Sequence, residues 1–129
     1  MMSKLKCLIV LLLLGFSINI HAQSEKKFSS GTIFWGVFDT NSKDIVGNLS
    51  KYADVIELKR IDYDYYVYAK DKNGELFRTK YSKVSNRYID ETGTDYLINE
   101  QGNTIYILCL KPLHNMPDRF MILKITDVK

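Results

Sequence analysis

Between residues 63 and 81 the chain reads YDYYVYAKDKNGELFRTKY, with apolar and polar positions alternating on either side of a glycine turn. A period of two is the mark of a half-buried strand. Asp71 and Gly74 stand first and fourth in Asp-Lys-Asn-Gly, a type I turn signature. Followed by a strand, it predicts a three-residue loop whose glycine is left-handed. That loop closes on Asp71 and Glu75 and opposes Ala69 to Phe77, Val67 to Thr79 and Tyr65 to Tyr81. One face is then largely apolar, and the other carries Tyr66 against Lys80 and Tyr68 against Arg78. A slip of one residue would invert every assignment, and the two-residue alternative mixes the faces.

The same grammar recurs in Asp90-Glu91-Thr92-Gly93 and Asn99-Glu100-Gln101-Gly102, each flanked by strand-like runs. The result is an antiparallel meander. Residues 32–38, 104–110 and 119–125 are apolar at both phases, as expected of central strands or strands covered on both sides. Gly36 within the first predicts a bulge or a close backbone approach. Over residues 42–52, Ile45, Leu49 and Tyr52 fall at helical intervals with Ser42 as a cap, which predicts one short helix. A phase change between Leu58 and Ile61 predicts a bulge near residues 59–60. The fold class is mainly β: a single-domain antiparallel meander of seven or eight strands, curled into a small barrel or sandwich. A flatter sheet crossed by the helix is the competing architecture.

The N-terminus follows other rules. Lys4 and Lys6 precede an apolar stretch over residues 7–20, and Ala22 follows, the layout of a secretory signal peptide cleaved after residue 22. The stretch is shorter than the ~20 residues needed to span a bilayer, so no stable membrane anchor is expected after cleavage. Cys7 stands at the start of the apolar run and not just after it, where a lipidation cysteine would have to be. Residues 23–30 read as a disordered lead-in and 31–129 as one β-rich domain, exported to a periplasm or the medium. Cys109 is then the sole cysteine, expected as a small buried hydrophobe, and an internal disulfide is excluded. Loss of Lys4 and Lys6 takes the formal net charge from +3 to +1, with charges interleaved. Nucleic acid is excluded as a partner on both grounds.

Candidate chemistry is sparse. His114 is the only histidine after residue 22, and no metal-ligand spacing, nucleophile elbow or phosphate-cradling glycine loop occurs. No cofactor or metal is expected, and no catalytic residue is assigned. A Cys109–His114 dyad would pair a mid-strand residue with a loop residue. Asp62 and Asp64 read as a solvated strand face, Asp90, Glu91 and Asp95 as turn residues, and Asn48 begins a glycosylation sequon. Two features stand above this background. Tyr66, Tyr68, Arg78 and Lys80 make a face suited to a protein partner, although cross-strand pairing within the hairpin explains the same residues. Leu113, His114 and Met116 project from the proline-bearing loop of residues 111–118, which either binds a partner or caps a barrel end. The expected function is therefore a small exported binding module, an inhibitor or envelope-complex subunit, acting on a protein partner through the Tyr/Arg/Lys face. The alternative is a carrier of a small apolar ligand in a barrel interior, with an enzyme the least supported class.

Overall fold

The computed structural model describes residues 25–129; the signal peptide and cleavage after residue 22 expected from the sequence lie outside the described residues. Nine strands follow one another: β1 Lys26–Phe28, β2 Thr32–Asp39, β3 Asp44–Ile61, β4 Asp64–Asp71, β5 Leu76–Val84, β6 Arg87–Ile89, β7 Asp95–Gln101, β8 Thr104–Leu113 and β9 Met116–Thr126. Each pairs antiparallel with the next from β2 onward, and β2 also pairs with β9. Strands β2 to β9 thereby close into an eight-strand, up-and-down barrel, with β1 added along β3. Closure removes most free edges, the standing liability of a long antiparallel sheet.

The tyrosine-rich hairpin has the predicted register, Tyr65 opposite Tyr81, Tyr66 opposite Lys80 and Tyr68 opposite Arg78. Its turn forms as read: Gly74 N–H donates to Asp71 O at 3.0 Å, and Asp71 Oδ1 accepts from the N–H groups of Asn73 and Glu75. The 90–93 turn repeats this plan, with Gly93 N–H on Asp90 O and Asp90 Oδ1 accepting from Thr92 and Thr94. At the third site the plan fails. Gln101 pairs with Thr104, so the loop is Gly102-Asn103, with Gly102 left-handed at φ 62° in the first central position.

Three further expectations are corrected. Residues 42–52 form no helix; residues 44–52 belong to β3 and pair in part with β2. Intervals of four serve a strand face as well as a helix face. Gly47, at φ 74°, lies in the irregular stretch of β3 opposite Gly36, and Ile45 and Leu49 lie over Gly36. The bulge expected near 59–60 occurs instead around Ile56, which is exposed between buried Val55 and Leu58. Finally, the lead-in contains β1, held because Phe28 buries its ring in the core.

The interior is filled. Phe28, Ile33, Val55, Leu58, Val67, Ile98, Ile105, Ile107 and Ile125 surround four inward tyrosines. Tyr65 meets Tyr88 edge-on with centroids 5.6 Å apart, and Tyr81 meets Tyr96 at 5.0 Å. Such tilted pairs add about 0.5–1.5 kcal/mol beyond area burial. A second apolar cluster of Phe38, Leu108 and Ile122, flanked by Ile45, Leu97, Tyr106, Leu110 and Phe120, covers the opposite face of β2 and β7–β9. It explains why these strands are apolar at both phases.

Candidate functional site

Alternation sends Tyr65, Val67, Ala69 and Tyr81 into the core and leaves Tyr66, Tyr68, Arg78 and Lys80 on the outer wall. The pairing extends the wall across a third strand, since Glu57 lies opposite Tyr68 and Lys59 opposite Tyr66. Two cross-strand rows result, Glu57–Tyr68–Arg78 and Lys59–Tyr66–Lys80. The Arg78 guanidinium carbon stands 3.9 Å from the Tyr68 ring centroid, and Lys80 Nζ stands 5.4 Å from that of Tyr66. These stacked cations fix the rings at roughly 0.5–1 kcal/mol each on an exposed surface. With Val67, Thr79 and Glu91, the six residues of the rows line an open concavity of about 170 Å³. All four sequence-predicted partner residues are thus brought together.

Charge on this wall is mixed and locally paired. Glu57 accepts from Lys27 at 3.1 Å and lies 3.5 Å from Lys59, and its carboxyl sits below the ordinary range mainly through the Lys27 hydrogen bond. Glu91 Oε1 accepts the backbone N–H of Lys80 at 2.6 Å. Lys83 Nζ stands over Tyr63 at 4.8 Å, and the Lys83 N–H donates to Asp64 Oδ1. Asp62 and Asp64 do not share a strand face, because Asp62 is a left-handed turn residue at φ 58°.

The segment expected as a long loop is mostly strand. β8 runs to Leu113, β9 starts at Met116, and these two pair around the tight turn His114-Asn115. Pro112 is accommodated beside Phe120 in a stretch where the register shifts, as proline within a sheet requires. Met116 and His114 are exposed and Leu113 half-buried, at the end of the barrel opposite Glu100. They do not join the tyrosine wall. Cys109 faces the core, with its Sγ directed to the Lys111 carbonyl. Among the described residues no cluster of His, Cys, Asp or Glu has the makings of a metal site.

Sequence reasoning missed a polar cluster inside the barrel. Glu100 Oε1 accepts from Arg60 at 2.8 Å and from the Tyr65 hydroxyl at 2.7 Å, while Oε2 accepts from Lys26 at 3.2 Å. Burial works against the Arg60 charge, but Glu100 and Tyr65 outweigh it and raise the guanidinium pKa. Burial, then Glu100, pushes the Tyr65 hydroxyl upward as well. The signal was present: Glu100 shares the inward phase of Tyr96 and Ile98. This cluster ties β1, β3, β4 and β7 together at one end of the barrel.

Trp35 and Tyr52 also went unassigned. Trp35 pairs with Leu123 and so shares the inward side, yet is 43% exposed; Tyr52 contacts Phe77 and is 42% exposed. The ring facing β2 is lowest at three-residue β6, four strands away in either direction. Comparison with protein-family models, curated proteins and solved structures returned no match.

Proposed function

We propose that this protein is a small exported binding module that engages a protein partner through the outer wall of β3, β4 and β5. The observation that carries this reading is the segregation of the hairpin. Tyr65, Val67, Ala69 and Tyr81 build the core, while Tyr66, Tyr68, Arg78 and Lys80 line a shared outer concavity. Tyrosine and arginine are the residue types that dominate interface energetics, and cation stacking holds these rings in place before any partner arrives. The test is site-specific photo-crosslinking from position 80 in the exporting cell. A discrete adduct that disappears in the Tyr66→Ala/Tyr68→Ala variant supports the reading, provided the melting temperature falls by only the few degrees that about 1 kcal/mol implies for a domain of this size. Equal labelling from position 80 and from an outer position on β8, or an adduct indifferent to the tyrosines, refutes it.

A second reading, a carrier of a small apolar ligand, is favoured by the exposure of Trp35 and Tyr52 on inward-facing positions. Trp35 is the only tryptophan, so its fluorescence reports directly on that end of the barrel. Saturable quenching by an apolar probe would support the carrier, and unsaturable quenching would count against it.

A further inference from the structure

The barrel wall is incomplete beside the proposed interface. β6 pairs with β5 only at Ser82, Lys83 and Val84, and with β7 only at Tyr96 and Asp95. Over residues 76–81, β5 therefore has β4 on one side and no described strand on the other. The hydrogen-bonding phase follows from the turn. Asp71 and Glu75 form the closing pair, so Phe77, Thr79 and Tyr81 direct their backbone groups to β4, and Leu76, Arg78 and Lys80 direct theirs outward. Two contacts confirm this phase independently. Lys83 N–H points to Asp64 of β4, while Lys80 N–H points away from β4 and is taken by the Glu91 carboxylate.

Glu91 is a side-chain acceptor standing where a neighbouring strand would place its carbonyl. Among the described residues, none caps Leu76, 56% exposed, or Arg78 in this way. Across the notch, the corresponding stretch of β8 carries Pro112, which has no N–H to offer. We propose that the edge of β5 at residues 76–80 is a strand-addition site, at which an extended segment of a protein partner pairs with Leu76 and Arg78. This deepens, and rests on, the reading of the adjacent tyrosine wall as a protein interface.

The chemistry of the occupant follows from the pleat. On the outer side its residues would neighbour Arg78 and Lys80, and Glu91 already supplies an acid there, so acidic side chains fit. On the inner side they would neighbour Phe77 and Thr79 beside exposed Tyr52, so apolar side chains fit. The segment is one that alternates acidic and apolar residues. A second copy of this chain is disfavoured, because edge-to-edge pairing would oppose Arg78 and Lys80 to the same cations. Strand addition draws affinity from main-chain hydrogen bonds and specificity from alternate side chains, as this arrangement requires.

The experiment uses the purified protein and a short blocked peptide alternating glutamate and valine, followed by amide hydrogen exchange and NMR titration. Expected is slowed exchange at Leu76 and Arg78 with no change at Phe77 and Thr79, which are already bonded to β4. Arg78→Pro removes the outward N–H but spares the β4 ladder, and should bind about tenfold more weakly than Arg78→Ala, the loss of roughly one net hydrogen bond. In an antiparallel pair the glutamates opposite Leu76 and Arg78 turn their N–H groups to β5, so N-methylation of each glutamate nitrogen, which keeps the charge, should abolish binding. Equal binding by Arg78→Pro and Arg78→Ala, or no protection at Leu76 and Arg78, overturns strand addition. If binding in that case falls only with Tyr66→Ala/Tyr68→Ala, the wall remains an interface and the edge is not part of it. Protection of the same amides by the protein alone, rising with its concentration, also overturns the proposal in favour of self-pairing.

Discussion

Truncating Glu100 to alanine should be among the most damaging single changes on a polar residue of this barrel. The carboxylate is 14% exposed and receives Arg60 and Tyr65 on one oxygen, at 2.8 and 2.7 Å. Removing it leaves Arg60, 21% exposed, without its counter-charge and Tyr65 without an acceptor. Breaking a buried pair costs about 3–5 kcal/mol, and residual access to solvent places this one near 3 kcal/mol. Tyr65→Phe removes only the charged hydrogen bond, about 1.5–2 kcal/mol. Because both variants delete that same bond, the double variant should cost about 1.5–2 kcal/mol less than their sum. Lys26, 45% exposed, adds little. Arg60 Nε has no hydrogen-bond partner among the described residues, so the pair is not fully satisfied. Replacing Glu100 and Arg60 together by methionine should therefore cost less than Glu100→Ala alone. Urea unfolding followed by Trp35 fluorescence and by circular dichroism gives each value. A Glu100→Ala cost below about 1 kcal/mol, or strict additivity with Tyr65→Phe, would refute the idea that this cluster fastens the barrel end.

Other outcomes follow from single contacts. Burial raises the pKa of Tyr65, Tyr81, Tyr88 and Tyr96, that of Tyr88 to about 12, and the Asp90 hydrogen bond lifts Tyr96 further. A folded pKa above the unfolded value of about 10 means that stability is intact below pH 10 and lost as pH rises through the folded values, which a denaturant series above pH 9 will detect. Asp90 behaves oppositely. Burial raises its pKa, but hydrogen bonds from Thr92, Tyr96 and Thr94 outweigh that and hold it below the ordinary range. Its contribution should be lost as pH falls below about 4, and Asp90→Ala should flatten the acid limb of the stability profile. Gly74→Ala and Gly93→Ala, at φ 82° and 86° with open space around them, should each cost about 1 kcal/mol through backbone strain alone. Gly36→Ala instead drives a Cβ to 2.6 Å from Leu49 Cδ2, and thermal melts should show a loss of about 1–3 kcal/mol as that side chain is displaced.

The parts of the fold that local chemistry dictates could be read directly. The Asx-and-glycine turns at 71–74 and 90–93 set the hairpin geometry, and the alternation around them separated Tyr66 and Tyr68 from Tyr65 and Val67. Where two structures share one signal, the reading failed. Ile45 and Leu49 lie at an interval common to helix and strand, and the β-branched Val46, Val55 and Ile56 nearby were the better guide. Gly102 opens its turn instead of closing it, a distinction that the four-residue motif does not carry. The proline-bearing segment looked like a loop because proline is excluded from regular pairing, and a register shift in β8 accommodates it. Closure of β2 on β9 joins the first barrel strand to the last, and no local pattern encodes it. Its only trace was the double-sided apolar character of residues 32–38, 104–110 and 119–125.

Closure also explains why the proposed site lies where it does. A ring of strands leaves no edge except where one member is too short, and β6 is that member. The shortfall frees β5 at residues 76–80 beside Tyr68. Extending β6 until it reached Leu76 would pair the outward backbone groups of β5 and lengthen the closed ladder. Arg78 and Lys80 guard the open edge against uncontrolled pairing. A charged, partly capped edge bordering a fixed aromatic wall suits selective pairing, in which the backbone carbonyls of an incoming segment do for Leu76 and Arg78 what the Glu91 carboxylate does for Lys80.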